Sequence, residues 1–458
     1  MADSYDLVVL GGGTGGYACA LRAASLGLSV ALVERDKVGG TCLHRGCIPT
    51  KALLHSAEVY DTLRHADAFG VRAGDVGYDW PAVLKNKNSV VDKMFKGLGA
   101  TLKARTVEVI AGEGAIASPT AVTVAGRTLT AKAIVIATGS RPKMIPTLQP
   151  GPRVITSDEA LTMDGVPASA VILGAGAIGV EFASLWASFG TSVTLVEMLS
   201  SLVPLEDADI GKELERSFKK RGIRSMTSAK LEEAKAGADS VTCQVSAGGK
   251  TETLETDVLL VAVGREPVTE GAGLEAIGVA TDRGFVVVDE YCRTNVPGVY
   301  AVGDVIPTLQ LAHVSFAEGM LVAEHAAGQD PRPLDYDAMP RATYCDPEVA
   351  SVGITEAQAR ERGFAVEAKQ VGFGHIGKAH ILGAGAGFCK VVTSKPGGRI
   401  LGVHLIGPRV TELLAEAMLS FGWEATSADV ANFIHPHPTL SEVFGEAALS
   451  LAGRPLHT

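Results

Sequence analysis

Residues 6–34 read DLVVLGGGTGGYACALRAASLGLSVALVE, and residues 169–197 repeat this pattern as SAVILGAGAIGVEFASLWASFGTSVTLVE. The two segments align without a gap at an offset of 163 residues, and 14 of their 29 positions are identical. Each contains an apolar strand, a G-x-G-x-x-G turn, a segment with helical spacing and a second apolar strand that ends in glutamate. Because this whole context occurs twice, it predicts two dinucleotide-binding β-α-β units, not glycine-rich turns without a ligand.

The glycines of each motif are expected to have separate roles. The first permits a tight turn, the second lets the backbone approach a pyrophosphate, and the third allows the helix to pack closely on the strand. In this order they are Gly11, Gly13 and Gly16 in the first unit and Gly174, Gly176 and Gly179 in the second. A third glycine cluster, HILGAGAGF at 380–388, lacks the complete motif and runs into an apolar strand, so we expect a hairpin turn there.

The acidic residue that closes each unit indicates which nucleotide binds. Glu34 and Glu197 each lie 23 residues after the first motif glycine and are expected to accept a hydrogen bond from a ribose hydroxyl. Glu197 is followed by MLSSLVP, which contains no arginine or lysine to meet a 2′-phosphate. The second unit is therefore predicted to bind NAD rather than NADP.

Two of the seven cysteines, Cys42 and Cys47, lie in the segment GGTCLHRGCIPTK at 39–51. They could be buried apolar side chains, half of a zinc site, a structural disulfide or a redox-active disulfide. Residues i and i+5 of an ideal helix have Cα atoms roughly 8–9 Å apart, whereas a disulfide needs about 4.4–6.8 Å. A bridged pair would therefore exclude a regular helix between the cysteines, and Gly46 offers the backbone freedom this requires.

The surroundings of the cysteines favour redox chemistry over zinc. The segment supplies no matching Cys-x-x-Cys or His pair, so no metal is expected. Pro49 suits the first turn of a following helix, which puts Cys47 near a helix N-terminus that stabilises a thiolate, with Lys51 on the same face. A protein disulfide does not normally accept hydride directly from NADH, whereas a flavin accepts it and passes two electrons to sulfur. FAD is therefore predicted to bind in the first unit.

The segment GGTCLHRGCIPTKALL resembles the active-site signature of the flavin-dependent pyridine nucleotide disulfide oxidoreductases, and the resemblance extends over essentially the whole chain. Further motifs that resemble the family occur in the expected order: IVIATGS at 134–140, LLVAVGREP at 259–267, TNVPGVYAVGD at 294–304, LAHVSFAEG at 311–319, YCDPEVASVGITE at 344–356 and HPHPTLSE at 435–442.

The resemblance implies roles for individual residues. Cys42 would exchange disulfide with the substrate, Cys47 would contact the flavin, and Lys51 would stabilise negative charge near it. Further residues implied to bind the cofactors are Gly114, Ala115, Thr138 and Gly139 for FAD, Asp304 on the ribityl side of the flavin, the backbone at Ala312 and His313 near its ring, Gly264 and Arg265 beside NAD, and Glu181 near the nicotinamide.

Chemistry on thiols needs a base, and an imidazole titrates near neutral pH. His437 occupies the position of the family's base, and Glu442 would orient its ring and stabilise its charge. Two other interpretations exist: Thr439-x-x-Glu442 also forms a capping box at the start of a helix, and His435-x-His437 is a pattern of metal ligands. We expect His435 to be structural. In the family this histidine reaches the disulfide of the other subunit, so a homodimer is implied.

The predicted fold class is α/β, with two Rossmann-like dinucleotide-binding domains and an α+β C-terminal dimerisation domain. The predicted regions are 1–147 (FAD-binding, with the redox disulfide), 148–267 (NAD-binding), 268–336 (central, completing the FAD site) and 337–458 (interface). The implied reaction is FAD-dependent oxidation of dihydrolipoyl groups with reduction of NAD⁺. The implied partner is the lipoyl domain of a 2-oxoacid dehydrogenase acyltransferase or a glycine-cleavage carrier protein.

Composition and sequence departures limit the alternatives. A net charge of −10 argues against nucleic acid as a partner, and the apolar segment 168–196 carries a glutamate and repeated glycines, so no membrane insertion is expected. The odd cysteine count and the absence of a signal pattern predict a cytoplasmic location.

Glutathione reductase would prefer NADPH, and mercuric and larger thioredoxin reductases need a C-terminal cysteine pair that this sequence lacks. A non-catalytic dinucleotide-binding subunit is the alternative outside enzymes. The sequence departs from the family at His44-Arg45, where Asn-Val is frequent, and at Val314, where a basic residue is common.

Overall fold

The computed structural model describes residues 3–458. Its N-terminal part, up to residue 142, forms a Rossmann-like layer. The elements are β1 (Asp3–Leu10), α1 (Thr14–Ser25), β2 (Val30–Glu34), α2 (Gly40–Arg45), α3 (Cys47–Arg64), α4 (Trp80–Ala104), β3 (Glu108–Ala111), β4 (Gly114–Ser118), β5 (Ala121–Val124), β6 (Arg127–Ile136) and β7 (Ser140–Pro142). The strands β3, β2, β1 and β6 are parallel neighbours in that order, and β5 and β4 extend the sheet in antiparallel fashion. The apolar runs of β1 and β2 are buried because helices cover a parallel sheet.

The second copy of the repeat folds in the same way. The elements are β8 (Val154–Ile155), α5 (Ser157–Ala160), β9 (Ser169–Leu173), α6 (Ala177–Ser188), β10 (Ser192–Val196), α7 (Ala208–Lys220), β11 (Arg224–Met226), β12 (Ala229–Ala236), β13 (Val241–Ala247), β14 (Lys250–Thr256) and β15 (Val258–Val261). A parallel sheet has the order β11-β10-β9-β15-β8, and β12, β13 and β14 form an antiparallel meander. Helices α1 and α6 begin and end at residues related by the 163-residue offset seen in the sequence.

The central segment contains mostly short elements. They are β16 (Arg265–Pro267), β17 (Thr281–Asp282), β18 (Phe285–Val286), β19 (Val299–Ala301), the 3₁₀ turn Gly303–Val305 and α8 (Ala312–Ala326). Strand β19 pairs in parallel with β6, so the central segment adds a strand to the first sheet. Strand β16 pairs with β7 in antiparallel register.

The C-terminal segment is α+β. The elements are β20 (Arg341–Thr343), β21 (Glu348–Gly353), α9 (Glu356–Glu361), β22 (Glu367–Gly372), α10 (Gly377–Ile381), β23 (Phe388–Thr393), β24 (Ile400–Gly407), α11 (Val410–Gly422), α12 (Ser427–Val430) and α13 (Glu442–Leu451). One antiparallel sheet has the order β20-β21-β24-β23-β22, and α11 and α13 contribute apolar side chains to its core. The predicted fold class is confirmed.

The glycine cluster at 380–388 differs from the predicted hairpin turn. Strands β22 and β23 do pair as antiparallel neighbours, but residues 373–387 connect them through a 3₁₀ turn and α10. The connection is long because Phe373 and Ile376 are buried in the core, which anchors the segment before the glycines are reached.

Contacts within the chain divide it into two compact parts, each made of several stretches of sequence. The first comprises Met1–Leu53, Pro81–Lys143 and Gly264–Tyr336, and the second comprises Leu54–Trp80, Met144–Val263 and Asp337–Thr458. The central segment therefore groups with the first Rossmann-like layer, and the C-terminal segment with the second. In the described residues, no helix is long and apolar enough to cross a membrane.

Candidate functional site

The outer glycines of the two motifs are required by close backbone contacts. Gly11 has φ of +109° and Gly174 has φ of +100°, a region that favours glycine. A Cβ on Gly16 would lie 1.9 Å from the carbonyl oxygen of Gly11, and one on Gly179 would lie 1.9 Å from that of Gly174. In both units the helix therefore packs on the turn at a distance that only glycine permits.

The middle glycines face open space instead. Gly13 and Gly176 precede α1 and α6 as their N-caps, and a Cβ on either would meet no protein atom within 4 Å. The space that this Cβ would occupy is bordered by backbone N–H groups at a helix N-terminus, which is a site for a phosphate group. Both turns therefore fit the pyrophosphate of a dinucleotide.

The two acidic residues are held in the same way. In the first unit, Oε2 of Glu34 accepts the N–H of Gly12 at 2.6 Å and Oε1 accepts the N–H of Asp36 at 2.8 Å. In the second, Oε2 of Glu197 accepts the N–H of Ala175 at 2.7 Å and its Oε1 accepts that of Leu199 at 2.8 Å. Each carboxylate is thus fixed at the end of its strand beside the glycine turn. Its contact with a ribose remains a prediction.

An open cleft in the first unit brings together residues from separate parts of the sequence. Of the predicted FAD-binding residues, those that line it are Gly11, Gly13, Glu34, Gly114, Thr138 and Gly139. It is also lined by Thr41, Arg45, Ser140 and Val268, which were not predicted as ligands. Ala115 follows Gly114 in β4. The lining joins the glycine turn to the ends of β2 and β6, which is where a dinucleotide binds in this kind of fold.

Ser140 connects the predicted residues Asp304 and Arg265. Its hydroxyl donates to Oδ2 of Asp304 at 2.5 Å and accepts from Nε of Arg265 at 2.6 Å. Gly264, with φ of +111°, lets the chain turn into β16, where Arg265 lies. The guanidinium of Arg265 bonds to the hydroxyl and the carbonyl oxygen of Ser140, and its predicted place beside NAD remains a prediction. Ser140 was missed, although it closes the quoted motif IVIATGS.

A buried carboxylate fixes the turn that carries Asp304. Glu318, on α8, is fully buried, and its Oε2 accepts the N–H of Gly303 at 2.7 Å. Its Oε1 accepts the hydroxyl groups of Thr308 and Tyr336 at 2.8 and 3.1 Å. Burial raises the pKa of Glu318. Sequence reasoning missed this residue too, although it lies in the motif LAHVSFAEG. Two other predicted residues, Ala312 and His313, begin α8.

The two cysteines lie on either side of a break between helices. Helix α2 ends at Arg45, Gly46 has φ of −148° and ψ of −113°, and α3 begins at Cys47. The Cys42 thiol hydrogen-bonds to Cys47, and this bond together with burial holds the pKa of Cys42 well above its usual range. The charge of Lys51 acts in the opposite direction, so the ammonium group lies near the pair.

Tyr17 is a neighbour of the cysteines that sequence reasoning missed. It lies in the first two turns of α1, and burial followed by the charges of Cys42 and Cys47 raises its pKa to about 12. Its ring centroid lies 5.5 Å from that of Phe316 on α8. The tyrosine therefore keeps its proton at neutral pH and can donate a hydrogen bond next to the thiols.

In the second unit, Glu181 is buried on α6, and its Oε1 accepts the N–H of Tyr344 at 2.9 Å. The carboxylate thus links α6 to the segment between β20 and β21. Its predicted position near the nicotinamide remains a prediction.

His437 and Glu442 form a direct pair. Nδ1 of His437 lies 2.9 Å from Oε1 of Glu442, and the histidine side chain is 74% exposed. Oε2 of Glu442 accepts the N–H of Thr439 at 2.7 Å. The carboxylate therefore holds the ring and also satisfies a backbone donor. The predicted capping box is only half formed, because α13 begins at Glu442 with Ser441 as its N-cap and no side-chain cap bond, and the catalytic role of the pair remains a prediction.

His435 contacts a different acid. Its Nε2 lies 2.7 Å from Oε1 of Glu416, and its side chain is 11% exposed. The hydrogen bond to Glu416 raises the pKa of His435, although burial acts to lower it. Within residues 3–458, no group of three or more His, Cys, Asp or Glu side chains is placed so that it could hold a metal ion.

Known proteins resemble the chain over its full length. Residues 5–319 match the family described as pyridine nucleotide-disulphide oxidoreductase, and residues 339–448 match the dimerisation domain of that family. The dimerisation domain supports a homodimer. A protein named dihydrolipoyl dehydrogenase from Bacillus subtilis is 45% identical over all of both chains, and one of the same name from Rhizobium etli is 42% identical, again over all of both.

Solved structures agree with these matches. LpdA from Mycobacterium tuberculosis superposes with a TM-score of 0.90 at 27% identity, covering 98% of this chain and 100% of that one. The HOCl-induced flavoprotein disulfide reductase RclA from Escherichia coli superposes with a TM-score of 0.86 at 28% identity, covering 97% and 99%. On the paired glycine turns, the cysteines at a helix break and these matches, the chain belongs to the pyridine nucleotide-disulphide oxidoreductase family.

Proposed function

We propose that this protein is a dihydrolipoyl dehydrogenase, which oxidises dihydrolipoyl groups to lipoyl groups and reduces NAD⁺ to NADH. The observation that carries the proposal is the contact between Cys42 and Cys47 across the helix break, in the unit that contains the dinucleotide cleft. Relatives that bear this name match the chain from end to end.

The cofactors are FAD in the first unit and NAD in the second. The turn at Gly11–Gly16 and the carboxylate of Glu34 would hold FAD, and the turn at Gly174–Gly179 with Glu197 would hold NAD. When bound, FAD supplies two-electron chemistry between a dithiol and a nicotinamide. Ser140, Asp304 and Glu318 form the network that fixes the wall of the first site.

Thiol–disulfide exchange is the step that the cysteines carry out. A dihydrolipoyl thiolate attacks Sγ of Cys42 in the Cys42–Cys47 disulfide; a substrate–Cys42 bond forms, and Cys47 leaves as a thiolate at the start of α3. The second substrate thiolate then attacks its partner sulfur. The lipoyl disulfide forms, and Cys42 leaves and takes up a proton. The substrate is oxidised by two electrons and the cysteine pair is reduced by two.

His437 moves the protons of this exchange. Its Nε2 is the base for the substrate thiols, because Nδ1 faces Glu442. Glu442 fixes the ring orientation and stabilises the imidazolium that forms. In a homodimer His437 acts on the cysteines of the partner subunit, so each active site requires two chains.

The substrate is carried by a lipoyl domain, either of a 2-oxoacid dehydrogenase acyltransferase or of a glycine-cleavage carrier protein. We place the reaction in the cytoplasm, because a redox disulfide that must be reopened in every turnover suits a reducing compartment.

An anaerobic visible spectrum tests the proposal directly. The purified protein is titrated with NADH and, separately, with dihydrolipoamide. Both reductants should produce a long-wavelength band from a thiolate in contact with flavin. A band with NADH but none with dihydrolipoamide would contradict the substrate, and protein without flavin would contradict the enzyme.

A further inference from the structure

The two residues at which the cysteine segment departs from the family both contact the loop that follows Glu34. Nε2 of His44 donates to the carbonyl oxygen of Val38 at 2.9 Å. The guanidinium of Arg45 lies 3.3 Å from Oδ2 of Asp36. Helix α2 is therefore braced against residues 36–38 by His44 and Arg45, and Arg45 is directed towards Asp36 on this loop.

This brace lies at the rim of the dinucleotide cleft. The N–H of Gly39 donates to the carbonyl oxygen of Gly12 at 2.7 Å, and a Cβ on Gly40 would lie 2.6 Å from Cα of Gly13. The start of α2 is thus packed directly on the phosphate turn. The end of α2 contributes Arg45 to the lining of the same cleft.

Asp36 connects this rim to Glu34. Its N–H donates to Oε1 of Glu34, the residue expected to bind the ribose, and its carboxylate pairs with Arg45. Glu34, Asp36 and Arg45 therefore form one continuous chain of contacts. The guanidinium is held in the lining of the cleft that Glu34 and the phosphate turn also form.

The charges of the residues that line the cleft indicate what Arg45 could bind. The diphosphate of FAD is an anion, whereas the acidic residues Glu34, Glu113 and Glu270 line the cleft. Among the described residues, the cations of the lining are Arg35 and Arg45. Arg45 alone comes from the helix that packs on the phosphate turn, and a guanidinium binds phosphate oxygens with fixed geometry.

We propose that Arg45 is an FAD-binding residue whose guanidinium contacts the diphosphate, and that Asp36 positions it there. The inference rests on the proposed function, because it takes FAD as the occupant of the first unit. It also explains the departure at position 45, because valine would provide neither the cation nor a side chain that reaches Asp36.

Flavin binding by the apoprotein provides the test. FAD is removed, and its dissociation constant is measured from the quenching of flavin fluorescence at low and high KCl concentration. Arg45→Val should raise the dissociation constant by about tenfold, the effect of losing one charge-assisted contact. The dissociation constant of FAD for the wild type should rise with KCl concentration. That of Arg45→Val should rise less steeply, because the charge pair between Arg45 and the diphosphate is missing.

Matched variants separate a contact with FAD from a general effect. Arg105→Val removes an exposed arginine of the same unit that does not line the cleft and should leave binding unchanged. Arg35→Val removes the other cation of the lining and should have the smaller effect. Asp36→Asn keeps Arg45 but removes its ion pair, so the dissociation constant of FAD should rise by less than it does in Arg45→Val. Arg45→Lys keeps the charge, and its salt dependence should match that of the wild type. Circular dichroism verifies the fold of each apoprotein.

Two results would overturn the inference. One is an Arg45→Val protein that binds FAD as tightly and with the same salt dependence as Arg105→Val. The other is a larger effect of Arg35→Val than of Arg45→Val. A wild-type apoprotein that takes up no FAD would overturn the proposed function as well, so the two failures are distinguishable.

Discussion

Nδ1 of His437 lies 2.9 Å from Oε1 of Glu442, and the other oxygen of that carboxylate accepts the backbone N–H of Thr439. Partial burial acts to raise the pKa of Glu442, but the bonds from Thr439 and His437 outweigh it and lower the pKa. The carboxylate of Glu442 is therefore charged at every pH above the range in which a glutamate ordinarily titrates. The imidazolium of His437 meets a fixed negative charge whenever it forms.

Replacing Glu442 by Gln should lower kcat for dihydrolipoamide oxidation by about a hundredfold, because the amide cannot stabilise the imidazolium. Reduction of the oxidised enzyme by NADH should be unchanged, because it does not need the substrate base. Stopped-flow measurement of the two half-reactions provides the comparison. Glu361→Gln, at an exposed position of α9, is the control, and an unchanged kcat in Glu442→Gln would exclude this role.

The two cysteines should give opposite spectra when replaced. Cys47 begins α3, where a helix N-terminus stabilises a thiolate, and burial with the bond to Cys47 raises the pKa of Cys42, so Cys47 is the sulfur expected to carry the negative charge. Serine at either position should abolish NAD-dependent oxidation of dihydrolipoamide. Cys42→Ser should keep a long-wavelength thiolate–flavin band, and Cys47→Ser should lose it. The reverse result would exchange the assignments of the two sulfurs.

The middle glycines allow the two nucleotide sites to be disabled separately. Gly13 and Gly176 have φ of −69° and −71°, which alanine also adopts, and their Cβ atoms would meet no protein atom within 4 Å. Gly13→Ala should therefore lower FAD content, and Gly176→Ala should raise the dissociation constant for NADH, each by about tenfold or more. As apoproteins, both should keep the Tm of the wild-type apoprotein, because the stability that bound nucleotide adds is then absent from all three.

A third alanine variant calibrates that experiment. Gly97 is exposed on α4 and has no neighbours in the space of a Cβ, so Gly97→Ala should stabilise the protein by about 0.5–1 kcal/mol without affecting either cofactor. Loss of both nucleotides in Gly13→Ala, or in Gly176→Ala, would contradict separate sites.

The sequence predicted the repeated layers well because their signals are local. A turn glycine, a helix and a strand that ends in glutamate all lie within 29 consecutive residues of each copy. The network around Asp304 is different, because Ser140 and Asp304 are 164 positions apart. No spacing or periodicity links two such residues; only the pairing of β19 with β6 and of β16 with β7 brings these segments together.

Arg265 and Tyr17 illustrate the same limit. The motif after β15 that contains Arg265 predicted a place beside NAD, which stays a prediction, and nothing in that motif indicated the bonds of its side chain to Ser140. Tyr17 follows a motif glycine and has no signal of its own. Its place beside the cysteines depends on how α1 and the α2–α3 break pack in three dimensions.

Lys390 is a buried cation in β23. Its Nζ lies 2.9 Å from Asp207, 2.7 Å from Asp209 and 2.9 Å from Glu356, and its side chain is 6% exposed. Burial acts to lower the pKa of Lys390, but the carboxylates outweigh it and raise the pKa. Lys390→Met should lower the free energy of unfolding at pH 7 by about 3–5 kcal/mol, because Asp207 stays buried without its cation.

The effect should depend on pH with a definite sign. Lys390 lowers the pKa of Asp207, against the effect of burial, and lowers that of Asp209. A lowered pKa gives stability that is present above the ordinary value and lost as the pH falls through the folded value. The difference between wild type and Lys390→Met in urea unfolding should therefore be constant near neutrality and shrink below about pH 4. Lys395→Met, at an exposed position, should show neither effect.

The pair of His435 and Glu416 should show the opposite dependence on pH. The bond to Glu416 raises the pKa of His435, so its stabilisation is complete below the ordinary histidine value and is lost as the pH rises through the raised value. Glu416→Gln should lower the free energy of unfolding by about 1–2 kcal/mol at pH 6, and this loss should diminish towards pH 9.

The same variant also tests whether His435 positions His437. A Cβ on Gly445 would lie 2.5 Å from Nδ1 of His435, so α13, which begins with Glu442, packs directly on this ring. If the pair fixes the segment that carries His437, then Glu416→Gln should shift the pH profile of dihydrolipoamide oxidation, and Glu412→Gln on the same helix should not. A stability loss that is independent of pH, with an unshifted profile, would mean that Glu416 acts through packing and that His435 is neutral in the folded protein.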